Sequence, residues 1–351
     1  MPWLFERWPA LRALPYRSLV AAPTPVERLA AVSRSSGAEL WCKRDDLTHP
    51  RYGGNKVRKL EWLLADARAC GAGAIVTTGA WGSHHVLATA VHGAEAGFEV
   101  HAVLVPQPLD EHVEAQLRAD LRAGARLLPV PAWALVPAAM RLVAARLRIA
   151  GVRPYLLGPG GSSPVGCIGY VEAGLELAEQ IAARALPEPA TITVALGSGA
   201  TAVGLALGLA AAGLTVPVRA VRVTSRLVVS RRLLVRLARR TVEVLRRADD
   251  RFPDVARVAM RRLQVDHRQF APGYGRSTEA SREAMRVARD DGLVLDPTYT
   301  SKAFASLLAL VRGGARGPHL FWHTLSSAPM EPLLEGAPPL PAWARRVRGE
   351  D

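Results

Sequence analysis

The strongest constraint on the fold is the regular alternation of short apolar runs with longer stretches of helical periodicity. The runs predicted as strands cover residues 74–78, 99–105, 125–130, 153–157, 191–196, 216–223, 293–295 and 319–324. Helices are predicted over residues 56–69, 84–96, 111–123, 134–149, 166–184, 201–213, 229–262, 278–290 and 301–312. Because strands separated by helices form parallel sheets covered on both faces, the sequence predicts an α/β fold. A chain of 351 residues has room for two such doubly wound domains.

The composition indicates a folded protein in a reducing compartment. Hydrophobic residues make up 49% of the chain, a fraction too high for intrinsic disorder. The cysteines Cys42, Cys70 and Cys167 lie too far apart in sequence for a disulfide framework or a CxxC metal pair. Glu6 and Arg7 interrupt the N-terminal segment where a signal peptide is apolar. We therefore expect a cytoplasmic protein.

Two features typical of membrane or nucleic-acid partners have simpler explanations in this chain. Residues 191–218 carry no charge, but their glycines predict a buried strand, a loop and a buried helix rather than a membrane span. The net charge is +14, and residues 226–262 contain twelve arginines against four acidic residues. With only Phe252 among them as an aromatic residue, we interpret these arginines as a solvated helical surface. Neither a membrane nor nucleic acid is an expected partner.

Lysine is rare enough in this sequence to be informative. Of 45 basic residues, only Lys43, Lys56, Lys59 and Lys302 are lysine. Arginine replaces lysine readily on a surface, but a guanidinium cannot form a Schiff base. For Lys43, Lys59 and Lys302 we favour a structural role. Lys56 follows the only asparagine of the chain, Asn55, at a predicted helix start where the helix dipole disfavours an ammonium and favours a reactive neutral amine.

Four loops at predicted strand ends carry polar or glycine-rich sequence, which is where open α/β sheets bind ligands. The first contains Asn55, which suits a helix N-cap, and Lys56. The second contains Ser83, whose hydroxyl suits a carboxylate, and a His-His pair that lacks a third metal ligand, so no metal is predicted. The third, residues 197–201, reads GSGAT and suits a phosphate. The fourth, residues 295–302, supplies a phenol and hydroxyls. A reactive lysine with a phosphate site indicates pyridoxal phosphate.

The blocks KRDDLT at residues 43–48 and GGNKVRKL at residues 53–60 resemble the hallmark of the 1-aminocyclopropane-1-carboxylate deaminase/D-cysteine desulfhydrase family. The resemblance continues in order through TTG at 77–79, GGS at 160–162, GSGAT at 197–201, GYG at 273–275, DPTYT at 296–300 and HT at 323–324. It implies the tryptophan synthase β-subunit-like fold, also called fold type II. The implied domains are a large pyridoxal-phosphate-binding domain, residues 1–56 plus 159–351, and a smaller inserted α/β domain, residues 57–158.

The resemblance also implies roles for individual residues. The implied catalytic residues are Lys56, Ser83, Tyr274 and Tyr299. The implied cofactor contacts are Asn55, Lys56, His84, Gly197, Ser198, Gly199, Ala200, Thr201 and Thr300. Lys56 would hold the cofactor and move the substrate Cα proton, residues 197–201 would hold the phosphate, and Ser83 would meet the substrate carboxylate. Tyr274 and Tyr299 would line the substrate side.

The implied activity is a lyase reaction on a small amino acid, in a homodimer. Thr300 stands where the family's deaminases have a glutamate that meets the pyridine nitrogen. A hydroxyl keeps that nitrogen protonated less well, which favours the desulfhydrase reaction, giving pyruvate, sulfide and ammonia, over cyclopropane opening. His84 stands where the family has asparagine, and Leu325-Ser326 where it has two glycines. The alternatives are the cyclopropane deaminase, a lyase or replacement enzyme for another β-substituted amino acid, and a non-catalytic cofactor-binding paralogue.

Overall fold

The computed structural model describes residues 1–226, 228–270, 273 and 275–345. Its strands are β1 Val26–Arg28, β2 Leu40–Arg44, β3 Ala74–Ala80, β4 Glu99–Val105, β5 Arg126–Pro129, β6 Pro154–Leu156, β7 Thr191–Leu196, β8 Val218–Arg222, β9 Leu263–Asp266 and β10 His319–His323. Its helices are α1 Trp3–Arg7, α2 Ala30–Ser36, α3 Asn55–Ala69, α4 His84–Glu95, α5 Glu111–Arg122, α6 Val136–Ile149, α7 Pro164–Ala182, α8 Ala200–Ala211, α9 Arg231–Ala248, α10 Ala256–Arg262, α11 Glu279–Arg289, α12 Thr300–Arg312, α13 Glu331–Leu334 and α14 Ala342–Arg345. Helices alternate with parallel strands, which confirms the predicted α/β fold class.

The first of two compact units consists of Met1–Leu14, Leu19–Lys59 and Ser163–Ser327. Its six-stranded sheet has the order β1-β2-β10-β7-β8-β9, and every pair except β1–β2 is parallel. The carboxyl ends of β2, β10, β7 and β8 therefore lie at one edge of the sheet. The loops that leave those strands meet at that edge.

The core of the first unit includes a cluster built by α11, α12 and the sheet. Phe304 of α12 packs edge-on against Phe321 of β10, with ring centroids 5.0 Å apart. Val221 of β8 and Leu293 belong to the same buried cluster. This packing fixes where α12 begins relative to the carboxyl ends of the strands.

The second unit consists of Pro15–Ser18, Leu60–Ser162 and the described chain from Ala328 onward. Its four strands are all parallel and have the order β5-β4-β3-β6. Every residue of β3 is buried, as expected for a central strand covered on both faces. The domain boundaries predicted from the sequence, after residues 56 and 158, stay a prediction.

The uncharged stretch of residues 191–218 forms β7, a glycine loop and α8, as predicted. Among the described residues, no helix combines the length and the apolar character that crossing a membrane requires.

Two predicted elements are wrong, and three strands were not predicted. The helix predicted over residues 229–262 is two helices, α9 and α10, because Pro253 lies in the segment that separates them. Leu293–Leu295 is a loop rather than a strand: Leu293 and Leu295 are buried, but the segment forms no ladder. The strands β1, β2 and β9 have three to five residues each, too few to give a clear periodicity.

A buried ion network joins β2, α3 and α7 in the first unit. The Arg58 guanidinium donates to Asp45 Oδ1 at 2.8 Å and to Glu176 Oε2 at 2.9 Å. Lys43 Nζ donates to Glu176 Oε1 at 2.5 Å. Burial alone raises the pKa of Glu176, but Arg58 and Lys43 outweigh it and lower that pKa to about 2. The structural role predicted for Lys43 therefore agrees with its contacts.

Asp45 is the acceptor at the centre of this network. Besides Arg58 it accepts hydrogen bonds from the Tyr170 hydroxyl at 2.6 Å and from Trp322 Nε1 at 2.7 Å. Fully hydrogen-bonded buried charges are stable as a set, whereas removing one member leaves the others uncompensated. The KRDDL block at residues 43–47 therefore supplies two members of the network that stabilises this edge of the sheet.

We expect Arg58→Gln to lower the free energy of unfolding by about 3–5 kcal/mol, because it leaves Asp45 buried without its cation and Glu176 with Lys43 as its remaining partner. Urea unfolding followed by circular dichroism measures the change. The control is Arg312→Gln, which removes the largely exposed ion pair with Glu283 and should cost at most about 1 kcal/mol. Equal losses in the two variants would contradict the role assigned to the network.

Candidate active site

The loop between β2 and α3 is packed too tightly to accept larger residues at its glycines. A Cβ on Gly54, whose φ is +85°, would lie 2.8 Å from the Thr324 carbonyl oxygen. Asn55 N donates to that same oxygen at 3.1 Å, and Gly53 N donates to Ser326 Oγ at 2.8 Å. The first residues of α3 are therefore held against the loop that follows β10.

Asn55 connects the candidate lysine to the glycine loop. Its Nδ2 donates to Thr201 Oγ1 at 2.9 Å, and its Oδ1 accepts from Lys56 Nζ at 2.7 Å. Asn55 is the first residue of α3 rather than the residue before it, so the expected N-cap role is wrong. Its side chain instead fixes the position of the Lys56 amine relative to Thr201.

The Lys56 amine at this edge has a lowered pKa. Burial lowers the pKa of Lys56 to about 8, although the nearby Asp296 carboxylate opposes the shift. The start of α3 adds a positive dipole end that also disfavours the ammonium. The neutral amine, which is the form that attacks a carbonyl, is therefore available at a lower pH than in an ordinary lysine.

The glycine loop follows β7 and opens α8. Gly199 has a φ of +110°, a conformation that favours glycine, and α8 starts at Ala200 without a side-chain cap. No acidic residue lies in the first turn of α8. With Thr201 as an added hydroxyl, the loop offers a positive helix end and close backbone approach, both suited to an anion.

The segment before α12 brings Tyr299 and Thr300 to the same edge. A Cβ on Gly197 would lie 3.1 Å from Cε1 of Tyr299, so the phenol ring covers the start of the glycine loop. The Thr300 hydroxyl donates to Asp296 Oδ2 at 2.6 Å and accepts from Asp296 N at 2.8 Å. The Asp296 carboxylate also accepts from the backbone N–H groups of Thr298 and Tyr299.

Asp296 was not predicted as a site residue from the sequence. In the DPTYT motif, roles were predicted for Tyr299 and Thr300 but not for the aspartate. An Asp-Pro pair before a helical stretch is a turn and capping signal that could have identified it. In the structure, Asp296 fixes the first turn of α12 and thereby the direction of the Thr300 hydroxyl.

Ser83 and His84 lie in the second unit, at the end of β3. Ser83 is the N-cap of α4, and its Oγ accepts from Val86 N at 3.4 Å. His84 Nδ1 lies 3.2 Å from Gln116 Nε2, and its ring centroid is 5.2 Å from that of His112. Both residues thus lie at the start of α4, after the carboxyl end of a buried parallel strand.

The predicted site residues fall into three groups. Asn55, Lys56, residues 197–201, Tyr299 and Thr300 are brought to one edge of the first unit's sheet. Ser83 and His84 belong to the second unit. Tyr274 lies outside the described residues.

Comparison with known proteins decides the family. The family model described as pyridoxal-phosphate dependent enzyme matches residues 17–324. The chain belongs to this family. It is 38% identical to the nocardicin C-9′ epimerase of Nocardia uniformis subsp. tsuyamanensis, over 93% of this chain and 97% of that protein. It is 36% identical to a D-cysteine desulfhydrase of Salmonella paratyphi B, over 90% of this chain and 94% of that protein.

A solved structure agrees with the sequence relatives. The crystal structure of a 1-aminocyclopropane-1-carboxylate (ACC) deaminase homologue superimposes with a TM-score of 0.78 at 32% identity. The match covers 95% of this chain and 99% of that chain. The fold predicted from the resemblance, fold type II, is confirmed, as is pyridoxal phosphate as the cofactor of the family.

The residues present fit this cofactor. An aldehyde requires an accessible neutral amine, and Lys56 provides one with a lowered pKa. A phosphate requires backbone N–H groups without nearby carboxylates, and the start of α8 satisfies this condition. Asn55 links the two through Thr201.

Proposed function

We propose that the chain is a pyridoxal-phosphate-dependent lyase that removes a β-substituent from a small amino acid, with D-cysteine desulfhydration as the best single case. The observation that carries the proposal is the Lys56 amine, poised by Asn55 against Thr201 of the glycine loop. The D-cysteine desulfhydrase relative supports the choice of reaction. The proposed products from D-cysteine are pyruvate, sulfide and ammonia.

The proposal assigns each residue a task. Lys56 attaches the cofactor, residues 197–201 and Asn55 hold its phosphate end, and His84 contributes a donor to its ring. Ser83 binds the substrate carboxylate, and Tyr274 and Tyr299 line the substrate side. When bound, the cofactor stabilises negative charge at the substrate Cα. We also propose that the protein is a cytoplasmic homodimer, as the resemblance implies.

Lys56 is proposed to take the Cα proton of the substrate. A base works best when its pKa lies near the working pH, and burial lowers the pKa of Lys56 to about 8. Asn55 Oδ1 accepts from Lys56 Nζ, so the amine is aimed while it is free. Removal of the Cα proton by one positioned amine is the step with which both β-elimination and epimerisation begin.

Thr300 separates β-elimination from cyclopropane opening in this proposal. Its hydroxyl proton is donated to Asp296, so the oxygen would have only a lone pair to offer to a ring nitrogen of the bound cofactor. An uncharged oxygen stabilises a protonated ring nitrogen less than a carboxylate does. A thiolate leaving group removes charge from Cα at once, whereas an unactivated cyclopropane requires stronger stabilisation.

Epimerisation at Cα is the second candidate, because the nocardicin C-9′ epimerase is a relative at 38% identity. It begins with the same proton removal by Lys56 and requires a second acid on the opposite face of the substrate. The Tyr299 phenol, which covers Gly197, is the candidate on the first unit. Chiral chromatography of the recovered amino acid distinguishes the two reactions, since elimination consumes the substrate and epimerisation inverts it.

The attachment site is tested by borohydride reduction of the reconstituted protein and peptide mapping. We expect pyridoxyl-lysine at residue 56, and attachment that speeds up as the pH rises through about 8, where Lys56 loses its proton. Lys56→Arg should abolish both the label and turnover, because a guanidinium cannot attach the aldehyde. A label on Lys59 or Lys302, or none after reconstitution, would refute the assignment.

The phosphate assignment predicts a strong effect of Gly199→Asp on cofactor affinity. A carboxylate beside the phosphate should weaken binding on the order of 100-fold or more, as like charges repel in a partly dry site. Fluorescence titration of the apo protein measures the affinity. Gly199→Asn is the control, since it adds a side chain of nearly the same size at a φ of +110° without the charge. If both variants lose affinity equally, the phosphate lies elsewhere.

The reaction is tested with two substrates and the wild-type protein. We expect pyruvate from D-cysteine or β-chloro-alanine, and little or no 2-oxobutanoate from 1-aminocyclopropane-1-carboxylate, because Thr300 carries no charge. Keto-acid derivatisation and mass spectrometry give the ratio. The reverse ratio would overturn the proposed lyase reaction, and inversion of the amino acid without keto acid would favour epimerisation. Inactivity on all amino acids, with cofactor bound, would favour the non-catalytic alternative.

A further inference from the structure

Arg222 is a buried cation at the edge of the sheet that carries the candidate site. It is the last residue of β8, and its relative exposure is 3%. Among the described residues, no carboxylate lies within ion-pair distance of its guanidinium, whereas Arg219 of the same strand pairs with Asp266 at 2.7 Å. A buried charge without a counter-charge is costly, so its position calls for a physical explanation.

The guanidinium binds neutral acceptors from the segments that leave β8 and β9. Its Nη1 donates to the carbonyl oxygens of Val229 at 2.7 Å and Ser225 at 3.2 Å. Its Nε donates to His267 Nδ1 at 2.9 Å. Burial and the nearby Arg226 lower the pKa of Arg222 from its ordinary value, yet a guanidinium stays charged in proteins. Arg222 therefore ties the turn after β8 in place and keeps a positive charge there.

This turn supports the glycine loop directly. Leu196, the last residue of β7, is the register partner of Arg222, and Val223 N donates to the Leu196 carbonyl at 3.1 Å. The Thr224 hydroxyl donates to the Gly197 carbonyl at 3.0 Å. This hydrogen bond directs the Gly197 carbonyl toward the turn. It thereby fixes the orientation of the peptide bond between Gly197 and Ser198.

The direction of the Arg222 side chain agrees with this position. Val221 packs into the core cluster with Ala303, Phe304 and Leu307 of α12. Because neighbouring residues of a strand point to opposite faces, Arg222 points to the other face of the sheet. A positive charge beside the end of β7 favours an anion at the start of the loop that leaves this strand.

We propose that Arg222 is a positioning residue for the phosphate of pyridoxal phosphate, acting through the turn and Thr224 on the glycine loop and through its unpaired positive charge. The inference rests on the proposed function, in which residues 197–201 hold that phosphate. Residues 222 and 224 lie outside the motifs recognised in the sequence, and the inference gives them the role of supporting the glycine loop. Its specific consequence is that loss of Arg222 weakens binding of the phosphorylated cofactor and spares the ring.

The test compares the affinities of the apo protein for pyridoxal 5′-phosphate and for pyridoxal, which lacks the phosphate. The dissociation constant for pyridoxal divided by that for pyridoxal 5′-phosphate, both from absorbance titration, reports the contribution of the phosphate alone. Arg222→Met should reduce this ratio about tenfold or more, because it removes both the positive charge and the hydrogen bonds that hold the turn after β8. Arg222→Lys keeps the charge and should retain more of the ratio. Thr224→Val removes only the hydroxyl contact and should reduce the ratio less than Arg222→Met.

Arg247→Gln is the matched control, because it removes an equal charge from an exposed position in the last turn of α9 and should leave the ratio unchanged. Thermal unfolding verifies that each variant folds. If Arg222→Met does not fold, Thr224→Val still tests the contact between the turn and the glycine loop. A ratio that Arg222→Met leaves unchanged, whether both affinities fall equally or neither falls, would overturn the inference and leave the proposed function intact. Wild-type protein that binds neither ligand would overturn the proposed function and this inference with it.

Discussion

The buried Arg58–Asp45–Glu176 network is the constraint on which the site depends. Arg58 lies two residues after Lys56 on α3, and its guanidinium bonds both carboxylates at 2.8–3.0 Å. The start of α3 is therefore fixed from inside the first unit, while Asn55 and the 324–327 loop fix it from the sheet edge. The position of Lys56 is therefore set by residues of the segment that follows β2, of α7 and of the loop after β10.

Much of this arrangement could be predicted from the sequence, for physical reasons. Parallel strands covered on both faces give long apolar runs, so β4 and β7 were found with their observed bounds. Lysine rarity singled out Lys56, and the glycine loop followed from its position between a buried strand and a buried helix. The pattern of the chain and the chemistry of one amine therefore identified most of the candidate site.

The rest depends on contacts between segments distant in sequence. Short strands such as β9 carry too few residues for periodicity, and their pairing is decided by the sheet they join. The pattern of residues 293–295 resembles that of a strand because Leu293 and Leu295 are buried on either side of an exposed residue, although the segment is a loop packed into the core. The bridge of Asn55 to Thr201 spans 146 residues of sequence, and local propensity alone indicated a helix cap. Asp296 is a different case, because its contacts to residues 298–300 are local and the Asp-Pro pair was a signal that could have identified it.

Residue 300 shows how a second residue can change the meaning of a motif position. A threonine hydroxyl by itself is both donor and acceptor, and from sequence it suits a nitrogen in either protonation state. In the folded chain its proton is directed to Asp296 Oδ2 at 2.6 Å, and Asp296 N occupies one lone pair. The remaining lone pair can only accept, so in the proposed site a ring nitrogen that bonded it would have to carry the proton itself. In the proposed site, the Asp296 carboxylate behind Thr300 would stabilise that proton less than a glutamate in contact and more than a hydroxyl alone. The electronic demand that such a site can meet therefore lies between those two limits, which suits reactions whose leaving group carries charge away.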